Sequence, residues 1–184
     1  MKFIPQLIPD LILIEPNVHY DDRGYFVETY RQDFFLESVG CKVKFVQENE
    51  SQSTKGVLRG LHYQLPPFSQ SKLIRVTEGK ILDFAVDIRK TSPTFGQHIA
   101  IELSAENMCQ LFIPSGFAHG LLVLSEKAKI HYMVDNYYMP EYDRGIAFND
   151  AKLGINLPFP KEKLLLSKRD QSHPSIFNSN DLFD

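Results

Sequence analysis

Short runs in which apolar and polar side chains alternate dominate this chain. Segments 11–15, 25–30, 43–47, 57–64, 72–77, 81–88, 99–103, 110–113, 116–124 and 129–138 read as β-strands, since aliphatic and aromatic residues recur at every second position or in runs of strand length. The separators carry turn chemistry: a polar stretch 19–24 ending in DRG, EGK at 78–80 with Gly79 free to take positive φ, then SAEN, PS and SEK. Helical periodicity is convincing only over 31–38. Many closely spaced strands with little helix predict an all-β fold in which a sheet closes on itself or stacks on a second.

The choice within that class is a cupin-type jelly-roll barrel forming a single domain over 1–184, with short peripheral helices. The tail from Pro140, rich in proline, asparagine and charge, is expected to wrap the barrel as loops and short helical turns. Period-2 alternation sorts side chains by face. It groups Leu58, Gly60, His62 and Gln64; Phe117, His119, Leu121 and Val123; and Ile130, Tyr132, Val134, Asn136 and Tyr138. An interior lined by such polar groups is a binding cavity. Strict alternation puts Arg59 opposite His62, so both face one pocket only if Gly60 marks a bulge.

The segment GVLRGLHYQ, 56–64, matters most. An imidazole that titrates near neutrality and a permanent cation three residues away suit a proton-transfer site that holds an anion. A lone strand histidine is more often structural, and that reading stands beside the catalytic one.

Formal net charge is −3 over 184 residues, so the chain as a whole offers no electrostatic case for nucleic acid or an anionic membrane. A phosphate would need a local basic cluster. Pro5 and Asp10 interrupt the first apolar run, and no stretch approaches the ~20 apolar residues of a membrane-spanning helix. Cys41 and Cys109 are far apart with no CxxC, which favours a reducing cytoplasm and two small buried hydrophobes over a disulfide or thiolate site.

Cupins often hold a metal on an HxH pair, a glutamate and a later histidine. Here the tripeptide is His62-Tyr63-Gln64, the next residue of interest is Lys72, and only His119 stands where the last ligand would be. Two histidines without a carboxylate make a poor divalent site, so no metal and no cofactor are expected and a metal-dependent dioxygenase is disfavoured. GxSxG, P-loop and GxGxxG motifs are missing too. The remaining inventory suits removal of a proton beside a carbonyl: a histidine base oriented by a carboxylate, a cation for the enolate oxygen, and a tyrosine that returns a proton from the other side.

The motifs DRGYFVE, FVQENES, GVLRGLHYQ, SQSKLIRV, DFAVDIRKTSPTFG, IPSGFAHG, VDNYY and LSKRD together resemble those of the dTDP-4-dehydrorhamnose 3,5-epimerases over about 22–170. GVLRGLHYQ and IPSGFAHG at this separation are a specific pair. The resemblance implies a cofactor-free isomerase acting at C3 and C5 of dTDP-4-dehydro-6-deoxy-D-glucose, with His62 as base, Asp170 orienting it, Tyr132 as proton donor and Lys72 stabilising the enolate. It also implies that Arg23, Phe26, Glu28, Gln47, Asn49, Arg59 and His119 contact nucleotide, diphosphate or sugar, and that Tyr138 stacks on thymine. Asp143 and Arg169 join the binding set with their charges kept, where the family commonly has glutamate and lysine. Ser71, Met133 and Phe148 depart from the usual residues and bear on fine specificity. A homodimer whose N-terminal strands, with Arg23, enter the neighbour's site is implied as well. The alternatives are an epimerase acting at one carbon, a ketoisomerase on a related dTDP-sugar, and a non-catalytic nucleotide-sugar binding module.

Overall fold

A computed structural model describes residues 1–8, 10–40 and 42–184. Its strands in chain order are β1 (Lys2–Pro5), β2 (Ile12–Glu15), β3 (Val18–Asp21), β4 (Gly24–Val27), β5 (Gln47–Thr54), β6 (Leu58–Gln64) and β7 (Lys72–Glu78). They continue as β8 (Lys80–Asp87), β9 (His98–Ser104), β10 (Gln110–Ile113), β11 (Phe117–Val123), β12 (Lys127–Val134) and β13 (Asp143–Gly145), with one α-helix, α1 (Gln32–Val39). Two sheets result, a six-stranded one ordered β1-β2-β10-β7-β12-β5 and a five-stranded one ordered β13-β6-β11-β8-β9, while β3 and β4 form a separate hairpin. This is the expected cupin-type jelly roll.

Three apolar layers follow from strand alternation. Between the sheets lie Ile74 and Val76 of β7, Ile81 and Ala85 of β8, Phe117, Leu121 and Val123 of β11, and Ile130 of β12. The outer face of the five-stranded sheet presents Leu58, Leu61, Tyr63, Phe84, Val86 and Leu122, covered by Ile146, Leu153 and Ile176 from the tail. Leu73 and Phe112, on the outer face of the six-stranded sheet, are covered by Phe35 of α1. Each fully buried side chain of this size contributes about 1.5–3 kcal/mol, which explains why the tail, although short of regular structure, stays on the barrel. Its chain runs through 3-10 turns at Pro140–Tyr142, Lys161–Lys163, Asp170–Ser172 and Ile176–Asn178, as expected.

Several expected elements need correction. The polar stretch 19–24 is mostly strand, since Val18–Asp21 pairs with Gly24–Val27 across a tight turn at Asp22 and Arg23. Segment 43–47 forms a ladder only from Gln47, and the strand runs on to Thr54, paired with β12 along its whole length. The β12 strand stops at Val134, short of Asn136 and Tyr138. The N-terminal strand β1 was not anticipated; it adds to β2 at the sheet edge. Helix α1 lies within a residue of its expected bounds and ends at Gly40 in the left-handed conformation. Cys109 is part-buried against the inter-sheet core, and Cys41 lies outside the described residues.

The bulge required by Arg59 and His62 is present. Against β11, His62 pairs with His119 and Arg59 with Leu121, and the register shifts between them. Two residues of β6, Gly60 and Leu61, therefore oppose Gly120 alone, so Leu58 turns outward while Arg59 and His62 turn inward. Leu58 thus leaves the face it was expected to share with His62. Gly60 has φ +112, and a Cβ there would lie 2.6 Å from both the Gly120 Cα and the His119 carbonyl oxygen. Backbone offers no such give, so we expect Gly60→Ala to cost about 2–4 kcal/mol of unfolding free energy. A lower urea midpoint at unchanged m would show this; an unshifted midpoint would mean that the crossing relaxes freely.

Candidate active site

A cavity of about 280 Å³ opens between the sheets, lined by Ser51 of β5, Arg59 and His62 of β6, Lys72 of β7, His119 and Leu121 of β11, Tyr132 of β12, and Ser167, Arg169 and Asp170 of the tail. Because β6 belongs to the five-stranded sheet and β12 to the six-stranded one, the His62 and Tyr132 rings reach the cavity from opposite walls.

The shortest polar contact is His62 Nε2 to Asp170 Oδ1, 2.5 Å, between residues 108 apart in sequence. Asp170 is nearly buried, its side chain 5 % exposed. Its amide is anchored to Ser167 Oγ at 3.1 Å. Burial pushes the Asp170 pKa up, but the His62 hydrogen bond and charge and the Ser167 hydroxyl outweigh it, and the net shift is down. An ionised carboxylate only accepts, so Nε2–H is the donor, and in the neutral form of the ring the lone pair a base needs is on Nδ1.

Lys72 is buried on the inward face of β7, its ammonium 3.4 Å from the His62 carbonyl oxygen. Burial lowers its pKa to about 8 against the opposing charges of Asp143 and Asp83, leaving it about nine-tenths charged at pH 7. Burial likewise raises the Tyr132 phenol, with Arg59 opposing and Asp143 adding, so the ring stays protonated and able to donate.

The other residues fall into three groups. His119 Nε2 meets Asp83 Oδ1 at 2.8 Å; Asp83 is fully buried, and its second oxygen has no hydrogen-bond partner among the described residues. Along β5 the less exposed positions are Gln47, Asn49, Ser51 and Ser53. Gln47 donates to Asn49 at 2.8 Å, and Arg59 Nε donates to Ser53 Oγ at 3.0 Å. In the third group, the Tyr138 hydroxyl donates to Asp143 Oδ2 at 2.9 Å and Arg169 pairs with the same oxygen at 2.6 Å. These two bonds hold the Asp143 pKa below its ordinary value despite burial, which acts as the largest single influence in the other direction.

His62, Lys72, Tyr132, Asp170, Arg59, His119 and Arg169 thus converge as expected, with Gln47, Asn49, Tyr138 and Asp143 tied to their surroundings by the bonds above. Arg23, Phe26 and Glu28 do not join them. They sit on or next to the exposed β3–β4 hairpin, where the Arg23 side chain is 89 % exposed and bonded to Asp21 at 2.5 Å, and Phe26 is 70 % exposed. The sequence reading did not single out Ser51, Ser53, Asp83, Ser167 or His173. Asp83 lies inside the quoted motif DFAVDIR, where a charge between apolar neighbours at a core-strand spacing was the available signal. His173 packs edge-on to His62, ring centroids 5.4 Å apart.

Fold and cavity together define a jelly-roll protein that holds a histidine–carboxylate pair across from a protonated phenol, an arrangement chemically able to move protons on a small molecule. The family model described as dTDP-4-dehydrorhamnose 3,5-epimerase matches residues 5–178, and the chain belongs to that family of epimerases. The curated dTDP-4-dehydrorhamnose 3,5-epimerase of Shigella flexneri is 52 % identical over 170 residues, covering 92 % of this chain and 93 % of the relative. The crystal structure of the enzyme of that name from Elizabethkingia anophelis superposes with a TM-score of 0.94 at 44 % identity, covering 98 % of each chain. The Legionella pneumophila dTDP-6-deoxy-D-glucose-3,5-epimerase, solved in complex with dTDP-4-keto-L-rhamnose, gives 0.93 at 42 % identity, covering 97 % of this chain and 94 % of its own. Among the described residues, no helix is long and apolar enough to cross a membrane.

The Lys72 pKa of about 8 carries a pH prediction. The ammonium is charged below that value and neutral above it, so kcat/KM is expected to fall as pH rises through about 8. Lys72→Met is expected to lose about 10²–10³ in rate together with that limb. A wild-type profile flat from pH 7 to 9 would contradict a role for the charge.

Proposed function

We propose that this chain epimerises C3 and C5 of dTDP-4-dehydro-6-deoxy-D-glucose to give dTDP-4-dehydro-L-rhamnose, with His62 as the base. The observation that carries the reading is the opposed placement of His62, held by Asp170, and Tyr132 on the two walls of one cavity. His62 Nδ1 takes the proton from a carbon flanking the C4 ketone, the C–H electron pair moves into a C=C bond, and the carbonyl oxygen becomes an enolate beside the Lys72 ammonium. Tyr132 then donates its phenolic proton to the opposite face of that carbon, the enolate collapses to the ketone, and the handedness is inverted. Solvent reprotonates the tyrosinate and removes the proton from His62, so a second round can act on the other carbon. Arg59 and Arg169 suit the diphosphate, because guanidinium groups form paired, charge-assisted bonds to phosphate oxygens. Tyr138, half-exposed, suits the thymine, and His119, Gln47 and Asn49 suit polar contacts to sugar and nucleotide.

Turnover in deuterated water tests the roles. His62→Asn is expected to reduce exchange at both carbons about 10²–10⁴-fold, while Tyr132→Phe should keep exchange at the His62 face and lose inversion. Full epimerisation by either variant removes the role assigned to it. Inversion at one carbon alone, seen by proton NMR of the product, would favour the single-carbon epimerase, and tight dTDP binding without any exchange would favour a non-catalytic binding module.

The assembly belongs to the same proposal. The β3–β4 hairpin exposes Tyr20, Tyr25 and Phe26 at 72, 59 and 70 %, and a two-stranded ribbon with bare aromatic side chains is poorly stable alone. A homodimer in which each hairpin carries Arg23, Phe26 and Glu28 to the neighbour's cavity would cover them and complete the binding set. Mixing an Arg23→Ala protein with a His62→Asn protein after subunit exchange should then restore activity in about a quarter of the sites at most, since a random heterodimer has one intact site. A monomer at working concentration by sedimentation, with full activity, would exclude the exchange. We further assign the reaction to the cytoplasm and its product to dTDP-L-rhamnose synthesis for cell-surface polysaccharide.

A further inference from the structure

His173 is one residue that the chemistry above leaves unused although it lies against its centre. It follows the 3-10 turn that begins with Asp170, and its side chain is only 9 % exposed. Its Nε2 is buried without a hydrogen-bond partner among the described residues. That nitrogen lies 3.6 Å from Asp170 Oδ1, the oxygen that accepts the His62 bond. Closing the gap to about 3.0 Å would make a normal N–H···O bond. The ring stands nearly perpendicular to His62, at 80°.

The fold keeps a place for this ring. Gly145 of β13 is paired with His62 across the ladder, and a Cβ at Gly145 would fall within 2.4–2.6 Å of three atoms of the His173 imidazole. No positive φ is recorded at Gly145, so the bare α-carbon answers to the imidazole seated on it rather than to the backbone. The chain just after His173 is pinned twice: Ala147 N–H donates to the Pro174 carbonyl at 2.8 Å, and Ile176 N–H to Asp150 Oδ2 at 3.0 Å. Donor atoms of His62, Asp170 and His173 lie within 4.8 Å of one another, yet Arg59, Lys72 and Arg169 line the same cavity, and their charges oppose a divalent cation.

We propose that His173 is a positioning residue for the proton transfer, its Nε2–H sharing Asp170 Oδ1 with His62 so that the carboxylate is fixed in place and its pull on the His62 proton is moderated. Burial, followed by the His62 charge, lowers the His173 pKa, so the ring is neutral and carries a single N–H, which an ionised oxygen draws to the nitrogen facing it. The charged or titratable groups around it are His62 on β6, Asp143 on β13, and Arg169 and Asp170 on the tail.

The inference rests on His62 being the base, and the test separates the two. A base must be neutral to accept a proton, so the acid limb of kcat/KM follows the titration of His62. Removing one of two donors leaves more of the Asp170 charge to His62, favours imidazolium, and moves that limb to higher pH. His173→Phe is expected to shift it upward by about half a pH unit and to lower kcat at pH 6.5–7 by about threefold to tenfold, with KM little changed. His173→Gln, which restores an N–H, should bring the limb back. Gly145→Ala, which pushes the ring from its seat without altering it, should reproduce the shift, and serves if His173→Phe folds poorly. An unmoved limb in a folded His173→Phe or Gly145→Ala protein overturns the proposal, as does a uniform loss at all pH values that His173→Gln fails to reverse. An active His62→Asn protein would instead sink the base assignment, whatever the His173 variants do.

Discussion

The crossing of β6 and β11 at Gly60 and Gly120 governs the cavity. Alternation along an unbroken strand would turn either Arg59 or His62 away from the interior, yet both line it. Inserting one residue reverses the phase, so that Leu58, Leu61 and Tyr63 still supply the outer apolar layer while Arg59 and His62 both line the cavity. The two glycines make this possible by proximity as much as by conformation, since a Cβ at Gly120 would itself fall 2.8 Å from the Arg59 carbonyl oxygen. A single backbone irregularity thus serves packing on one face and chemistry on the other.

From that strand the rest of the site is held by contacts made far along the chain. Asp170 reaches His62 from a tail that Ile146, Leu153 and Ile176 hold against the outer sheet face, so apolar burial on one side of the sheet supports the histidine–carboxylate pair on the other. The 2.5 Å bond then requires the carboxylate to remain ionised in a nearly dry setting, which the Ser167 hydroxyl and the imidazole together make favourable. Tyr132 shows the opposite use of burial: the same exclusion of water that disfavours tyrosinate keeps its proton available.

The parts of this molecule legible in sequence were those written in apolar periodicity. The β7, β8, β10 and β11 strands carry apolar residues at alternate positions, and the cavity side of β12 does so with Ala128, Ile130, Tyr132 and Val134. The β5 strand, QENESQST, has no apolar residue because its inward side chains meet a wet cavity, and period-2 reasoning weighted by hydrophobicity has nothing to register there. The β3–β4 hairpin failed differently: its aromatic side chains face solvent in the single chain, so polar neighbours read as a turn. Asp170 could be nominated by resemblance alone, since LSKRD has no spacing that places it beside a strand 108 residues earlier. His173, three residues on, had not even that support, because its meaning depends on a glycine in another segment.

The charges in the cavity explain why a substrate would settle where the reaction can occur. Arg169 already bonds the Asp143 carboxylate at 2.6 Å, so a phosphate must share that guanidinium with a resident anion. Arg59 Nε instead bonds a neutral serine hydroxyl, and the Lys72 ammonium approaches only a carbonyl oxygen; both hold positive charge that no carboxylate contacts among the described residues. In the proposed function a diphosphate would answer the first of these on binding. The second, buried and partly discharged by its surroundings, would in that reaction gain a full partner only when a proton has left carbon and the oxygen beside it carries the charge. An interaction that strengthens at that moment lowers the barrier rather than merely the dissociation constant, and the proposed reaction would thereby offset the cost of burying a lysine on the inward face of β7.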